Sequence, residues 1–509
     1  MDDTILIRGR WVVTGAAKGD AVLSDGALII EGETIKELGK ASDLEHRYPG
    51  ARRLGGDGYA VLPGLINAHH HSNGVTTLQH GVPDDLLESW LLRLARCRPL
   101  ETRAAVLLGA YRLLRSGVTA VVDMFSGGGT EESFAAGVGD ALAAYEESGL
   151  RAAVAAGVSS QSLLVAGEDE AFVNALGPGV RPLAEGRLSA GARFSEDAYF
   201  DIMADLGRRY AAHSRISLWF GPPGPQWVSE AMMVRIAEAA ERLDCGIQTH
   251  ALESFYEKLH GPRAYGKPTL LHLRDLGVLS PRFSIAHGVW LTEDEIEVLA
   301  ESGAAVSHNP SSNLRLRAGI APVNALMAAG VTVGLGMDAT SLDDDDDFFT
   351  EMRLALRLHG TPQLDGPAPA PHEILALATT GGARLLRAEQ RLGRLAPGYA
   401  ADVVLVGLER LSWPWIAPEC EPRELVLLRA RADDVDTVLI AGEVVLEAGR
   451  PTRFDHQAVG RAIADALSNQ APPADAADIE ALLLPEVEAH YRDWEAPAPV
   501  PYVSYNSRR

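Results

Sequence analysis

Residues that can bind a metal ion recur along this chain, each directly after a short apolar run. The densest group lies in "VLPGLINAHHHSNG" (residues 61–74), where His69, His70 and His71 follow an apolar segment and a Pro-Gly pair. Single residues of the same kind follow later apolar runs; they are Asp123, His250, His287, His308 and Asp338. Neutral imidazoles and carboxylates are ligands that suit Zn²⁺ or Fe²⁺. The recurrence predicts a metal site assembled from distant parts of the chain.

The apolar runs are typical of the buried strands of a parallel sheet. From Pro63 onward, runs such as "TAVVD", "ISLWFG" and "FSIAH" alternate with segments of helical periodicity. About eight such strand–helix units fit between residues 63 and 390, which indicates an α/β fold, a (β/α)₈ barrel. The C-terminal ends of barrel strands meet at one face, and the metal-competent residues stand at those ends. We therefore expect these residues to converge.

The spacing of the three consecutive histidines divides them between two faces of a strand. Side chains i and i+2 point the same way, so His69 and His71 can share one metal while His70 points to the other side. A third histidine and a carboxylate would complete the ligand set, with water as the reactive ligand. His250 and Asp338 are the best candidates for those two places.

Strand-like segments also lie outside the predicted barrel. "TILIRGRWVVT" in residues 1–62 and "GYAADVVLVGLE" in residues 391–452 predict a small β-sandwich domain built from both ends of the chain. Residues 453–509 are predicted to form a helical C-terminal tail. The stretch "GPGVRPLAEGRLSAGARFS" (residues 177–195) is predicted to be a long loop or insertion.

Five motifs in the chain resemble those of the amidohydrolase superfamily. They are "PGLINAHHH", "QTHALES", "AHGVWL", "SHNPSSNLRLRAGIAPV" and "GLGMDA", in the family order. Within the superfamily they resemble the branch of cytosine deaminase, guanine deaminase, S-adenosylhomocysteine deaminase and the triazine chlorohydrolases. The later "GRLAPGYAADVVLV" resembles the return of the chain into the β-sandwich, so the resemblance covers residues 1 to about 450.

The resemblance implies a role for each residue of the metal site. One divalent metal, zinc in the first place and iron as the alternative, would be held by His69, His71, His250 and Asp338. Glu253, in the H-x-x-E of "HALE", would move protons, and His287 would hydrogen-bond the hydrolytic water. Asp338 would thus be both ligand and catalytic residue. The reactive species would be a metal-bound hydroxide, since a bound metal lowers the pKa of its water to roughly 7.

One metal is expected because a residue needed for two is missing. Binuclear members of the superfamily bridge two metals with a carboxylated lysine on the fourth barrel strand. The matching segment here, "ISLWFGPPG", has no lysine in it or near it.

Residues after two strands are candidates for substrate binding. Asn309, Asn313 and Arg315 follow the strand that ends at His308, and all four are candidates to line the pocket; Asn and Ser also favour turns, which is an equally good explanation of this stretch. Gln226 and Trp227 follow the predicted fourth strand and could offer an amide and an aromatic face, or could simply pack.

One departure from the family pattern bears on the substrate. S-adenosylhomocysteine and guanine deaminases carry a substrate-contacting histidine after the fourth strand, in a pattern such as P-H-A-P-Y. Pro223 of "GPPGPQW" stands at that place here. This argues against those purine deaminases and leaves triazine-like, urea-like, guanidine-like and other N-heterocyclic substrates open.

The acidic run Asp343–Asp347 precedes a predicted helix, "FFTEMRLALRLH". Acids at a helix N-terminus oppose the helix dipole, so we interpret the run as solvated acids at that terminus. The alternative is that one of the acids contacts a cationic substrate.

Composition excludes several partner classes. The net charge of −23 repels phosphate backbones and anionic lipid surfaces, so a nucleic-acid polymer or a membrane is not an expected partner. The three cysteines have no CxxC spacing, and we find neither an apolar run of about 18 residues nor a secretory signal. We expect a cytoplasmic enzyme acting on a small molecule, and the family habit favours a homodimer.

These features predict a metal-dependent hydrolase. The leading reaction is hydrolytic deamination, or dechlorination, at an sp² carbon of an N-heterocyclic or guanidine-like small molecule. The alternative is hydrolysis of an amide, urea or carbamate C–N bond at the same metal. A non-catalytic scaffold is the third hypothesis; a scaffold has no need of four metal ligands and Glu253.

Overall fold

The computed structural model describes residues 4–16, 19, 21–127, 129–189, 191, 193–492, 494 and 500–502. Its strands form two eight-stranded sheets. In chain order the strands are β1 (Thr4–Val13), β2 (Val22–Glu31), β3 (Thr34–Lys40), β4 (Arg52–Pro63), β5 (Leu65–His70), β6 (Val118–Ser126), β7 (Arg151–Gly157), β8 (Ile216–Phe220), β9 (Ile247–Ala251), β10 (Phe283–His287), β11 (Ala305–His308), β12 (Thr332–Leu335), β13 (Val403–Gly407), β14 (Val435–Ile440), β15 (Glu443–Glu447) and β16 (Arg450–Pro451).

Helices cover the barrel and extend past it. They are α1 (Ala41–Arg47), α2 (Leu87–Arg93), α3 (Thr102–Arg115), α4 (Glu131–Ser148), α5 (Asp169–Ala175), α6 (Arg181–Ser189), α7 (Glu196–Tyr210), α8 (Glu230–Leu243), α9 (Phe255–Tyr265), α10 (Thr269–Asp275), α11 (Glu293–Ser302), α12 (Pro310–Arg315), α13 (Val323–Ala328), α14 (Phe348–Leu358), α15 (Pro371–Ala376), α16 (Gly382–Leu385), α17 (Glu409–Ser412), α18 (Pro422–Arg429), α19 (His456–Ser468), α20 (Ala476–Asp478) and α21 (Leu484–Arg492). Short 3₁₀ or π turns occupy Leu78–His80, Leu94–Arg96, Pro225–Trp227, Leu377–Gly381, Ala432–Asp434 and Ile479–Leu483.

Strands β5 to β12 form the predicted (β/α)₈ barrel. They are hydrogen-bonded in sequential order and all neighbouring pairs are parallel. The first and last strands meet where the carbonyl of His69 accepts the backbone N–H groups of Met337 and Asp338, at 3.1 and 2.9 Å. This closure places the two ends of the barrel, and the residues on them, side by side.

The second sheet joins both ends of the chain, as the sequence predicted. Its strand order is β16-β15-β14-β13-β4-β1-β2-β3, and β4 pairs antiparallel with β13. A buried ion pair ties this sheet to the barrel: Arg151 at the start of β7 donates to Asp402 through Nε at 2.7 Å and Nη2 at 3.0 Å. The sheet is therefore attached to the end of the barrel opposite the metal-competent residues, since Arg151 begins its strand.

The segment 177–195, the start of α11 and the C-terminal tail show further local structure. Residues 177–195 are not only a loop, because Arg181–Ser189 forms helix α6 with Ala184 buried. Helix α11 begins with a capping box of Thr292 and Glu295. The predicted tail contains three helices, whereas its residues 493, 495–499 and 503–509 lie outside the described part of the chain. Among described residues, no helix has the length and apolar character to span a membrane.

Candidate metal centre and active site

Five polar side chains from four separate barrel strands meet at the C-terminal face. Nε2 of His71 lies 3.2 Å from Nε2 of His250 and 3.3 Å from Oδ1 of Asp338. Nε2 of His69 lies 3.5 Å from the same Oδ1, and Nε2 of His287 lies 3.7 Å from Oδ2. One ligand atom from each of His69, His250, His287 and Asp338 lies within 4.8 Å of the others, and this is the one candidate metal group among the described residues.

Each of the four histidines is oriented by an oxygen that faces its Nδ1. The pairs are His69 with Gln248 Oε1 at 2.9 Å, His71 with Met124 O at 2.8 Å, His250 with Pro223 O at 2.6 Å, and His287 with Asn313 Oδ1 at 2.8 Å. An acceptor at Nδ1 requires the proton there and leaves the lone pair on Nε2, the atom that faces the cluster.

Two of those Nε2 atoms, on His69 and His287, are buried without a hydrogen-bond partner. A buried nitrogen lone pair that has no donor is costly unless something outside the chain binds it. Converging imidazole lone pairs and one carboxylate are the donor set of a Zn²⁺ or Fe²⁺ ion, so these residues fit a metal.

Burial keeps three imidazoles of the cluster neutral. Burial lowers the pKa of His71 to about 4 and those of His250 and His287 to about 3, outweighing the opposing charge of Asp338. Burial alone would raise the pKa of Asp338, but the neighbouring imidazoles of His69, His287 and His71 hold it well below its ordinary value. At pH 7 the Asp338 carboxylate therefore lies beside the neutral imidazoles of His71, His250 and His287, which is the protonation state that binds metal.

Backbone strain marks the strand ends that carry these groups. His287 has φ of 78° and Asp338 has φ of 58°, a conformation that non-glycine residues rarely adopt. The Asp338 carboxylate is fixed on both oxygens, since Oδ2 accepts the Ser312 hydroxyl at 2.6 Å and Oδ1 accepts the Ala339 N–H at 2.6 Å. The strained turns therefore aim rigid groups at the cluster.

His70 points away from the cluster. It is 3% exposed, and its Nδ1 lies 2.9 Å from the carbonyl oxygen of Asp338. Its strand partner is Asp123, which is buried and accepts the Ser72 N–H at 2.8 Å. The alternation along β5 thus separates His70 from His69 and His71.

Glu253 lies beside His287 with one oxygen free. Its Oε2 is 3.5 Å from His287 Nε2, while its Oε1 is buried without a partner. Burial, and then the charges of Asp338, Glu257 and Glu88, raise the pKa of this carboxyl well above its ordinary value. Its surroundings therefore favour the protonated form of Glu253 next to the cluster, as an acid requires.

A cavity adjoins the Glu253 loop. Glu88, Gln226, Trp227 and Glu257 line it, together with residues from the loops after β5 and β7. Glu257 is bonded on both oxygens: Oε1 accepts Gln226 Nε2 at 2.7 Å and Oε2 accepts the Glu253 N–H at 2.6 Å. Gln226 is thus buried in this wall, and Trp227 is half-buried beside it.

Sequence reasoning missed two carboxyls of that cavity, Glu88 and Glu257. Glu257 carries a signal that could have been used, because it lies one helical turn after Glu253 in "HALESFYE". Glu88, in "LLESWLL", has no local signal. Burial raises its pKa to about 7, its Oε1 accepts the Ser254 hydroxyl, and its Oε2 is buried without a partner.

Residues 60–445 match the model of the amidohydrolase family. The chain belongs to the amidohydrolase family. The 5-methylthioadenosine/S-adenosylhomocysteine deaminase of Nitratidesulfovibrio vulgaris is 31% identical to it over 464 residues, which cover 89% of this chain and 95% of that protein. An adenosine deaminase structure from Xanthomonas campestris with bound zinc has a TM-score of 0.78 at 27% identity and covers 92% of this chain and 99% of its own. A zinc complex of an atrazine chlorohydrolase from Arthrobacter aurescens shares the fold, with a TM-score of 0.74 at 24% identity and coverage of 91% and 99%.

These comparisons confirm the predicted superfamily and its deaminase and triazine-hydrolase branch. The amidohydrolase is accordingly a metal-dependent hydrolase of carbon–nitrogen bonds other than peptide bonds. The segment predicted as the fourth barrel strand is β8 (Ile216–Phe220), and it contains no lysine. The described residues therefore offer one metal group.

The remaining predicted pocket residues either support His287 or bind other side chains. Asn313 and Asn309 are buried against Nδ1 of His287, at 2.8 and 3.4 Å, and so support that ring. Arg315 is engaged elsewhere, since its guanidinium binds Asp84 at 2.8 Å and also Asp344. His308 is fully buried with its Nε2 2.9 Å from Nε2 of His359.

The acidic run is more buried than a solvated helix terminus. Asp347 does cap α14, through a bond from the Phe349 N–H at 2.9 Å, and Asp344 pairs with Arg315. Asp346 and Asp347 are 7% and 6% exposed. Three of the five acids, Asp344, Asp346 and Asp347, are therefore ion-paired or buried.

Proposed function

We propose that this amidohydrolase is a hydrolytic deaminase of amino-substituted N-heterocycles, with adenine nucleosides as the leading substrate class. The observation that carries the proposal is the free Oε1 of buried Glu253, next to His287 and the imidazole cluster. Deamination needs an acid within reach of a ring nitrogen and a departing amine, beside an activated water. The relatives named as adenosine-type deaminases support the choice of substrate class.

His69, His71, His250 and Asp338 would hold the metal, which when bound supplies an activated water at neutral pH. His287 is then left to hydrogen-bond that water through Nε2, because Asn313 occupies its Nδ1. Glu253 takes up a proton and returns it at Oε1, the oxygen that no protein group binds. Glu257 fixes the position of Glu253 by accepting its backbone N–H.

The lining of the cavity next to Glu253 supports a small substrate with polar substituents. Pockets for small ligands combine apolar walls with a few polar groups. Leucine side chains line this cavity together with the carboxyls of Glu88 and Glu257 and the amide of Gln226. Those polar groups can bind amino or hydroxyl substituents of a substrate.

Pro223 favours a substrate held differently from those of the purine deaminases with a histidine at this place. Its side chain offers no hydrogen bond, and its carbonyl oxygen is occupied by His250. Ring contacts would come from Gln226 and Trp227 instead. This observation also favours testing two other reactions. They are hydrolysis of an amide, urea or carbamate bond, which is the second candidate function, and dechlorination.

We propose zinc as the metal, a homodimer as the assembly and the cytoplasm as the location. The zinc bound in the similar adenosine deaminase structure supports the first. The family resemblance supports the second, and the three cysteines, which form no disulfide, fit the third. Elemental analysis, light scattering and cell fractionation test them in turn.

The deciding experiment is a screen for ammonia release by zinc-loaded protein, with matched metal-free protein as the control. The panel contains adenosine, 5′-methylthioadenosine, S-adenosylhomocysteine, aminopyrimidines, aminotriazines and guanidino compounds, with ureas and chlorotriazines for the other reactions. We expect zinc-dependent release of ammonia and a product heavier by 1 Da, as replacement of an amino group by oxygen requires. Urea cleavage or chloride release without ammonia would select the alternative chemistry. Protein without stoichiometric metal and without turnover would favour a scaffold.

A further inference from the structure

The C-terminal segment Gln470–Arg492 contributes Tyr491 to the wall of the cavity beside the Glu253 loop. Tyr491 of α21 lines the cavity together with Glu88 and the loop at residues 162–166. Its hydroxyl oxygen accepts the backbone N–H of Ala166 at 2.8 Å, and the side chain is 6% exposed. A residue 325 positions after Ala166 in the chain thus closes the space beside the Glu253 loop.

Polar contacts join the same segment to the helix that carries Glu88 and to the residues that follow that helix. Glu480 accepts from Arg93 and from Arg96, and the carbonyl oxygen of Gln470 accepts Arg98 Nε at 3.1 Å. Glu488 of α21 accepts the Ser89 hydroxyl at 3.5 Å. Helix α2 therefore presents Glu88 to the cavity and its neighbouring side chains to the C-terminal segment.

An apolar cluster fixes the two parts together. It joins tail residues to the loops after β5 and β7, with Ile479, Leu483 and Val487 at 1% exposure or less. The ring of Tyr491 also lies 4.6 Å from that of Tyr256, the third residue after Glu253. Side chains buried this completely are held as in a core, so the wall is a fixed surface.

We infer that the segment Gln470–Arg492, through Tyr491, sets the size of the substituent that a substrate can carry on the side away from the reacting carbon. Tyr491 lines the cavity, and Glu257, another lining residue, accepts the backbone N–H of Glu253. A smaller side chain at position 491 enlarges the cavity toward the tail, and a larger one shortens it. The substrate-size role rests on the proposed deamination; the closure of the cavity does not.

The test compares two substrates that share the reacting ring and differ only in the distal substituent, adenosine and S-adenosylhomocysteine. In the zinc-loaded full chain, we expect Y491A to raise the ratio of kcat/KM for S-adenosylhomocysteine over adenosine at least fivefold, through KM. Y491W should lower the ratio by a similar factor, and Y491F should leave it within twofold. Leu482→Ala is the matched control, since Leu482 lies in the same segment, is 44% exposed and does not line the cavity.

An unchanged ratio in both Y491A and Y491W would overturn the size role. Hydrogen–deuterium exchange provides a measurement that needs no turnover: Y491A should speed exchange of the Ala166 amide and of residues 87–93, whereas Leu482→Ala should not. If the wild-type chain deaminates nothing, the proposed function fails, and faster exchange in Y491A still supports the wall. Exchange that matches the wild type in Y491A would overturn the wall itself.

Discussion

Substitution of Gln248 should weaken metal binding without touching a ligand. Gln248 is fully buried on β9, and its Oε1 is the acceptor that faces Nδ1 of His69 at 2.9 Å. When metal binds Nε2 of His69, the proton must stay on Nδ1. In metal-bound Gln248→Leu, the Nδ1–H group of His69 is buried without an acceptor. The metal-free variant avoids this cost, because its His69 can carry the proton on Nε2 instead.

The size of the effect follows from that unpaired N–H group. A buried donor without a partner costs about 1–3 kcal/mol, and loss of a group that orients a ligand histidine costs about 10–100-fold in metal affinity. At 1.4 kcal/mol per factor of ten the two estimates coincide. We therefore expect the zinc dissociation constant of Gln248→Leu to rise by about one to two orders of magnitude.

Competition with a chromophoric chelator at pH 7.5 measures that constant, and urea unfolding of the metal-free variant verifies that it folds. Gln248→Glu keeps an acceptor at the same place and should bind zinc no more weakly than the wild type. Asn313→Leu is the matched variant on His287, and it should retain zinc within about threefold while losing activity. Equal weakening by Asn313→Leu and Gln248→Leu would refute the assignment, since His287 would then be a ligand.

Three further outcomes are expected. Glu253→Gln should bind zinc with unchanged stoichiometry but lose about 10²–10⁴-fold in kcat; retained turnover would remove Glu253 from the mechanism. His69→Ala and His71→Ala should abolish zinc binding whereas His70→Ala should spare it, as measured by elemental analysis, and equal loss in all three would contradict the alternation along β5. Burial raises the pKa of Glu351 to about 8, so its contribution to stability is lost as pH rises from about 4.5 to 8. Glu351→Gln should therefore gain on the order of 3 kcal/mol in unfolding free energy relative to the wild type between pH 4.5 and 7, and parallel pH curves in urea unfolding would contradict this.

The parts of the site that the sequence predicted depend on local rules. A strand of alternating side chains followed by a polar residue is a pattern within a few residues, and it placed His69, His71, His250 and Asp338 at strand ends. Parallel topology then brings all such ends to one face, so convergence needed no knowledge of contacts. The barrel and the second sheet were predictable for the same reason.

What the sequence could not provide are pairings between residues far apart along the chain. The sequence indicates Arg315 as a pocket residue, whereas in the structure its guanidinium binds Asp84 and Asp344. Glu88 sits in an ordinary amphipathic stretch, and only packing shows that it faces the cavity. The place of the C-terminal helices depends on apolar contacts that no local pattern identifies.

The pairing of β4 with β13 also constrains how the protein is made. Val61 finds its partner Leu405 only after roughly 340 further residues have been synthesised, which takes a ribosome roughly 20–70 s at 5–20 residues per second. Throughout that time the apolar strands at the N-terminus have an unpaired edge, and such edges invite aggregation. Nascent chains should thus depend on a holding chaperone until the last strands emerge, and moving β1 to β4 behind β16 by circular permutation should shorten that dependence.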